Sequence, residues 1–414
     1  RLSTKGNAKG RGQMHIVVVG GSFGGLTAAY DLRRLLRRRE HQVTVISKER
    51  RFIFIPSLPW VAMGSKTIAD ISFDLEAPLI AKGIDFVEAT VTGINPRARK
   101  VLTVGTEYEY DILLLATGHR SANEAVPGLG PFDGPGHSLM SPAEAEEARD
   151  SWAAFLRDPG PIVIGCAPGA SCLGPAYEFL FEAHHALQRR RIRHRVPITF
   201  VTPEPFLGHF GVGGFGKARH FFEGELEQRD IRYFNSAAIS QITRESVELS
   251  DGKVFESRYS LVIPPLAGVS AVAGTVGLAN PKGFIPVDAH YRHPDFPNIY
   301  AVGVAVALPP VEETTVPVNF PKTGHMTEQM AKIAAHNIAS DINGSEQTTH
   351  ELMVECIMNM GDKAAHIRAD PARPPRNVSQ MSVGKRWLWA KRFFANYYLW
   401  KIKRGATRSP KWVW

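Results

Sequence analysis

Cysteine is scarce: 414 residues contain three, Cys166, Cys172 and Cys356. That is too few for the disulfide framework of a small secreted domain, and no Cys-x2-Cys pair sets up a zinc site. No run of about 18 apolar residues occurs, so no transmembrane helix is expected. No secretory signal is legible either. Residues 1–13 carry four basic and no acidic residues and read as a disordered leader. Low-complexity tracts are absent. Acid is missing from one end: residues 385–414 hold nine Lys and Arg and no Asp or Glu, whereas the whole chain holds 49 basic and 40 acidic residues. The net charge of +9 therefore sits in the tail. Charge concentrated in this way points to a local docking surface rather than a uniformly basic body.

What is present begins with a strand-turn-helix. Ile16–Val19 is a β-branched run of the kind found in a buried parallel strand. Gly20-x-Ser22-x-x-Gly25 supplies a tight turn, and Leu26–Leu36 reads as a helix. Such a turn aims backbone N–H groups at a pyrophosphate. Ser22 stands where the usual motif has its middle glycine, and its hydroxyl is a candidate phosphate donor. Gln42–Ser47 is the next strand. It ends in Ser47-Lys48 where an acid for ribose hydroxyls usually stands, so Ser47 and Lys48 are candidate contacts. Phe52–Trp60 reads as an apolar loop. Ile84–Val87 and Val91–Ile94 read as strands, and Ile112–Leu115 as a buried strand closing in Ala116-Thr117-Gly118. Asn298–Gly303 ends similarly in Gly303, and Pro321–Ser340 reads as a helix.

Pro161–Gly165 opens a second unit of this kind, with a helix over Pro175–Leu187. Its turn contains Pro168 and Cys172, and neither suits a phosphate cradle. It reads as a nucleotide domain that has exchanged NAD(P)H binding for thiol chemistry.

The N-terminal glycine turn, Tyr110-Asp111 with Ala116-Thr117-Gly118, and Ile299–Gly303 together resemble the two-dinucleotide-binding-domain flavoproteins. Four further pieces resemble sulfide:quinone oxidoreductase: Pro168-Gly-Ala-Ser-Cys-Leu-Gly-Pro-Ala-Tyr-Glu178, Glu204-Pro-Phe-Leu-Gly-His-Phe210, Pro309–Gly324 with its P-K-T-G, and Cys356 followed by Met360-Gly-Asp362. The resemblance implies an α/β fold of two tandem Rossmann-like domains, glutathione-reductase-like, with a C-terminal membrane-binding helical region. It divides the chain into FAD-binding parts at 14–125 and 286–345, a degenerate NAD-type domain at 126–285, and a quinone- and membrane-binding region at 346–414. It implies FAD, held by Gly20, Ser22, Phe23, Gly25, Ser47, Lys48, Pro56, Val91, Ala116, Thr117, Gly118, Gly303 and Lys322. Cys172 and Cys356 would relay sulfur as a disulfide or persulfide, with His209 as a proton carrier. Electrons would pass to quinone between Phe320, Ile357, Phe394 and Tyr398. No metal is expected. Met140 replaces the family's third cysteine and Glu144 a neighbouring histidine; Cys166 reads as a buried spectator.

The tail Lys385–Arg404 interleaves aromatics with cations, and five of the seven tryptophans lie at or after Trp387. Trp and Tyr prefer the headgroup layer, and Lys and Arg attract anionic lipid. Two short interfacial helices are expected there, with no nucleic-acid partner. The expected location is peripheral, on a prokaryotic-type inner membrane, on an unspecified side; a homo-oligomer is left open. The rival readings are a flavocytochrome c sulfide dehydrogenase subunit, a type II NADH dehydrogenase and a non-catalytic flavin-bearing redox sensor.

Overall fold

Two parallel sheets organise the chain in the computed structural model, which describes residues 12–37, 40–130 and 134–408. Most of the expected leader, residues 1–11, lies outside the described residues, as do residues 409–414 of the tail. In the first sheet, Ile299–Ala301, Ile112–Leu115, Met14–Val19, His41–Ser47 and Asp85–Glu88 lie side by side in that order. Register pairs Val18 with Val45 on one side and with Leu114 on the other. The central strands are apolar at successive positions because both faces are covered. Ile16, Val18 and Leu114 face the helix Phe23–Leu35 and the main core. Val17, Val19, Leu113 and Leu115 face a second cluster with Ile94 and Val101 of an antiparallel ribbon.

The second sheet runs Ile231–Phe234, Ile198–Val201, Ile162–Cys166, Tyr259–Ile263. Pro142–Phe155 and Gly174–Arg189 are its associated helices. An antiparallel meander follows, Val354–Asn359, Ala364–Asp370 and Val378–Gly384, and leads into the tail helix Lys385–Lys403. The fold is therefore two tandem Rossmann-type units with a C-terminal helical region.

Four expectations need correction. The tail forms one helix of 19 residues rather than two short ones, because no Gly or Pro interrupts Lys385–Lys403. The helix expected over Pro321–Ser340 runs Gly324–Asn343. Thr323 caps it by accepting from the Met326 N–H at 3.3 Å, and Gly344 closes it at φ +71°. The first helix starts at Phe23, not Leu26, directly on the turn. The stretch Phe52–Trp60 is partly ordered as well, with a helix at Leu58–Ala62.

Candidate active site

The first glycine turn is built so that only small residues fit. A Cβ on Gly25 would lie 1.8 Å from the Gly20 carbonyl oxygen, and one on Gly20 2.2 Å from the Ala116 oxygen. This close approach brings Gly20, Ser22, Phe23 and Gly25 together with Ala116, Thr117 and Gly118. Gly303 joins from the adjacent strand, where Val302 packs within 3.0 Å of a Cβ on Gly24. Ser22 caps the first helix without spending its side chain, and the helix start carries no acid. The Thr117 hydroxyl is buried without a partner. Free N–H groups, a spare hydroxyl and a buried unpaired one fit an anionic dinucleotide. Ser47 is nearby, its hydroxyl donating to the Glu49 carbonyl at 2.8 Å. Lys48 is exposed and pairs loosely with Glu49 at 3.7 Å. Pro56 is the second residue of the short turn Ile55–Ser57 after Arg51–Ile53, and Val91 packs on the second cluster.

Lys322 lies beyond Gly303. Its ammonium donates to the carbonyls of Val304 at 3.1 Å and Val306 at 2.6 Å, and sits 4.0 Å from the Phe284 ring centroid. Burial lowers its pKa to about 8, and its charge helps burial to lower His119 to about 4.

The second turn is closed differently. The Gly169 N–H donates to Pro317 O, the Asn319 side chain donates to Gly169 O, and Asn319 N to Ala170 O. Pro168 has no N–H to offer. The turn is thus pinned by its neighbours instead of being open to phosphate, and it holds Cys172 at its end. Beside it lies a cleft of about 740 Å³ lined in part by Arg120, Pro168, Gly169, Lys282, Pro317 and Asn319.

Cys172 and Cys356 are remote in sequence, yet near enough that a thiolate at Cys356 would raise the pKa of Cys172. Both are partly exposed, whereas Cys166 is completely buried. Burial raises the Cys172 thiol to about 12 and the Cys356 thiol to about 11, the latter drawn back by Lys391. Each thiol therefore keeps its proton near neutral pH.

His209 is buried and fully engaged. Nε2 pairs with Glu312 Oε1 at 2.8 Å, and Nδ1 accepts from the Gly211 N–H at 3.1 Å. Among the described residues no contact joins it to either thiol. Of the expected quinone walls, Ile357 follows Cys356 and is half-buried, and Phe394 lies on the tail helix with its ring 6.3 Å from Phe54. Phe320 and Tyr398 are buried. The Arg373 guanidinium covers Phe320 at 4.4 Å, and Tyr398 donates to Glu328 Oε1 at 2.8 Å.

Two features escaped sequence reasoning. Glu144 closes a capping box: its Oε2 accepts from Met140 N at 2.7 Å, Ser141 N at 3.1 Å and the Ser138 hydroxyl at 3.1 Å. The S-x-x-E spacing at Ser141 was the available signal. The second is a buried pair in which Lys391 of the tail helix donates to Glu178, next to a second carboxyl, Glu182. Only the spacing of Glu178 and Glu182, one turn apart, hinted at it. Among the described residues no cluster suits a metal ion.

Tandem dinucleotide-type units, one cradle open and the other given over to thiols, define a flavin-dependent oxidoreductase. Residues 14–174 match the family described as pyridine nucleotide-disulphide oxidoreductase. The chain is 38% identical over 400 residues to the sulfide-quinone reductase of Aquifex aeolicus, covering 94% of this chain and 91% of that protein. The crystal structure of the Aquifex aeolicus sulfide:quinone oxidoreductase superposes with a TM-score of 0.92 at 36% identity, over 96% of this chain and 93% of that one. The mitochondrial sulfide:quinone oxidoreductase of Dictyostelium discoideum is 27% identical over 74% of this chain and 68% of its own length. The chain belongs to the sulfide:quinone oxidoreductase family.

Proposed function

We propose that the chain oxidises sulfide at Cys172 and Cys356 and delivers the electrons through bound FAD to a membrane quinone. The observation that carries this reading is that two partly exposed thiols from distant segments lie near enough for ionisation of one to raise the other. In the oxidised enzyme they share a sulfur bridge. HS⁻ attacks it, the S–S bond breaks, a persulfide forms on Cys172 and a thiolate is left on Cys356. FAD supplies the two-electron acceptor that this thiol chemistry needs and the donor that quinone needs. Overall, HS⁻, one proton and quinone become zero-valent sulfur and quinol. Arg120 and Lys282 give the cleft beside the Cys172 turn a positive lining suited to anionic sulfur species.

The residues named for FAD at the first cradle, together with Lys322, are its proposed contacts, and residues 14–125 and 286–345 its domain. Residues 126–285 carry Cys172, and 346–414 carry Cys356 and the quinone end. Ile357 and Phe394 are the accessible walls; Phe320 and Tyr398 back them. His209 steadies its loop and reaches half-exposed Glu312 as a proton outlet. The test is anaerobic: sulfide bleaches the visible flavin absorbance of purified protein, and a soluble quinone restores it. Flavin that does not respond to sulfide sinks the reading; flavin reduced by sulfide but indifferent to quinone removes the quinone half.

No described helix is long and apolar enough to cross a membrane. The tail helix instead exposes Trp389, Phe393 and Trp400 at 69%, 59% and 54%. These lie on one helical face with Tyr397, whose ring stacks 6.0 Å from both Phe393 and Trp400. Arg392 and Arg404 lie over Trp389 and Trp400 at 5.6 and 4.5 Å. This face is the proposed contact with an anionic lipid surface. Changing Trp389, Phe393 and Trp400 together to serine is expected to weaken binding to anionic liposomes by on the order of 10²-fold. Unchanged co-sedimentation would place the contact elsewhere.

A further inference from the structure

Four polar side chains from three elements meet in the core next to Cys356. The helix Gly174–Arg189 supplies Glu178 and Glu182, one turn apart on its buried face. The tail helix supplies Lys391, whose Nζ donates to Glu178 Oε1. The strand Val354–Asn359 supplies Asn359, whose Nδ2 donates to Glu182 Oε1. All four are less than a tenth exposed. Trp60 adds a hydrogen bond to Glu182 and places its ring 5.3 Å from the Lys391 ammonium.

Among the described residues, Lys391 is the one cation acting on this carboxyl pair. A buried carboxylate without a counter-charge is strongly disfavoured. One ammonium therefore leaves one of the two carboxyls protonated, and geometry selects it. Glu178 holds the ammonium, whereas Glu182 is bonded by the neutral donors Asn359 and Trp60. We propose that Glu182 is the proton store of this site, holding a proton at rest and releasing it through Glu178 and Lys391 toward the Cys356–quinone end during turnover. The proposal rests on the proposed function, because oxidising HS⁻ with quinone consumes one proton beyond the one HS⁻ carries. Relayed by Glu178 and Lys391, that proton goes to the forming quinol, and Glu182 becomes a carboxylate and is reprotonated from solvent. Burial and the Glu178 charge push Glu182 up to about 8, with Lys391, Asn359 and Trp60 opposing. Lys391 and Glu178 also act on Cys356 in opposite senses, so charge moved within the cluster is felt at the thiol. Glu182 acts through its neighbours and is a positioning residue whose signature is a pH profile.

The test uses the flavin-loaded enzyme. In resting wild type, an infrared pH titration is expected to contain a protonated-carboxyl band that disappears as pH rises through about 8, and Glu182→Gln removes it. The rate of quinone reduction by sulfide should fall in wild type as pH rises through the same range. Glu182→Gln should lower the rate by about tenfold near pH 7 and abolish that limb. Glu182→Asp should restore part of it. Trp60→Phe keeps the carboxyl but deletes a bond that favours its charge, so the limb should move up by about half a unit. A band that survives Glu182→Gln, or a limb unmoved by both Glu182→Gln and Trp60→Phe, overturns the proposal. Wild type that fails to reduce quinone with sulfide refutes the parent function, while the resting titration still decides the store.

Discussion

Replacing Cys356 by alanine is expected to reduce sulfide-driven bleaching of the flavin by at least about 10³-fold, the scale on which removing a covalently reacting side chain acts. Cys356 lies mid-strand, paired with Ile367 in the antiparallel meander. Alanine keeps the backbone ladder intact, and the partly exposed thiol leaves only a small gap. The variant should therefore still bind flavin and unfold at nearly the wild-type temperature. This combination separates chemistry from folding. A variant that bleaches at the wild-type rate would take Cys356 out of the reaction. The thiols' raised pKa values set the accompanying pH expectation. Below about 11 the reduced pair stays protonated, so acid-side variation in the rate should follow the ionisation of sulfide rather than that of the enzyme's cysteines.

The second large effect is on stability. Lys391→Met should destabilise the fold by about 3–5 kcal/mol at pH 8, because it strands Glu178 without its buried counter-ion. The sign of the pH dependence follows from linkage. Without the ammonium, Glu178 has a folded pKa raised above its unfolded value near 4.5 by burial. The penalty is small below that value, grows as pH rises toward the folded pKa, and is complete above it. Urea unfolding of the variant at pH 5 and pH 8 should give a markedly lower midpoint at pH 8. Equal losses at both would mean that Glu178 is not ionised in the native protein.

The parts of this molecule legible from sequence are those ruled by local chemistry. The β-branched run Ile16–Val19 and the apolar run Ile112–Leu115 announced buried strands, and Gly20 and Gly25 marked a turn where backbone approaches backbone. The closed second cradle followed from Pro168. Cysteine scarcity drew attention to Cys166, Cys172 and Cys356, but only the family resemblance chose and paired the last two. What stayed hidden depends on tertiary partners. Nothing near Lys391 in the sequence says that it is buried against Glu178, since both flanks are basic and aromatic like a lipid-facing segment. Tyr398, expected as a quinone wall, has its ring 5.2 Å from Phe23 and its hydroxyl donating to Glu328, partners that the sequence does not announce. Glu144 stood out as a departure from the family histidine, whereas the structure gives it the work of a helix cap.

The tail helix is built with two opposed jobs. Ile402, Lys401, Tyr398 and Ala395 are buried on one side, while Trp389, Phe393 and Trp400 project on the other. Anyone seeking a detergent-free preparation would be tempted to clip the chain before Lys385. That cut would unroof Phe23, Phe52 and Phe54 and leave Glu178 bare, trading a sticky protein for a collapsing one. With the proposed lipid contact, repainting three outward rings with polar groups, and leaving the inward seam alone, is the route to a form that stays in water.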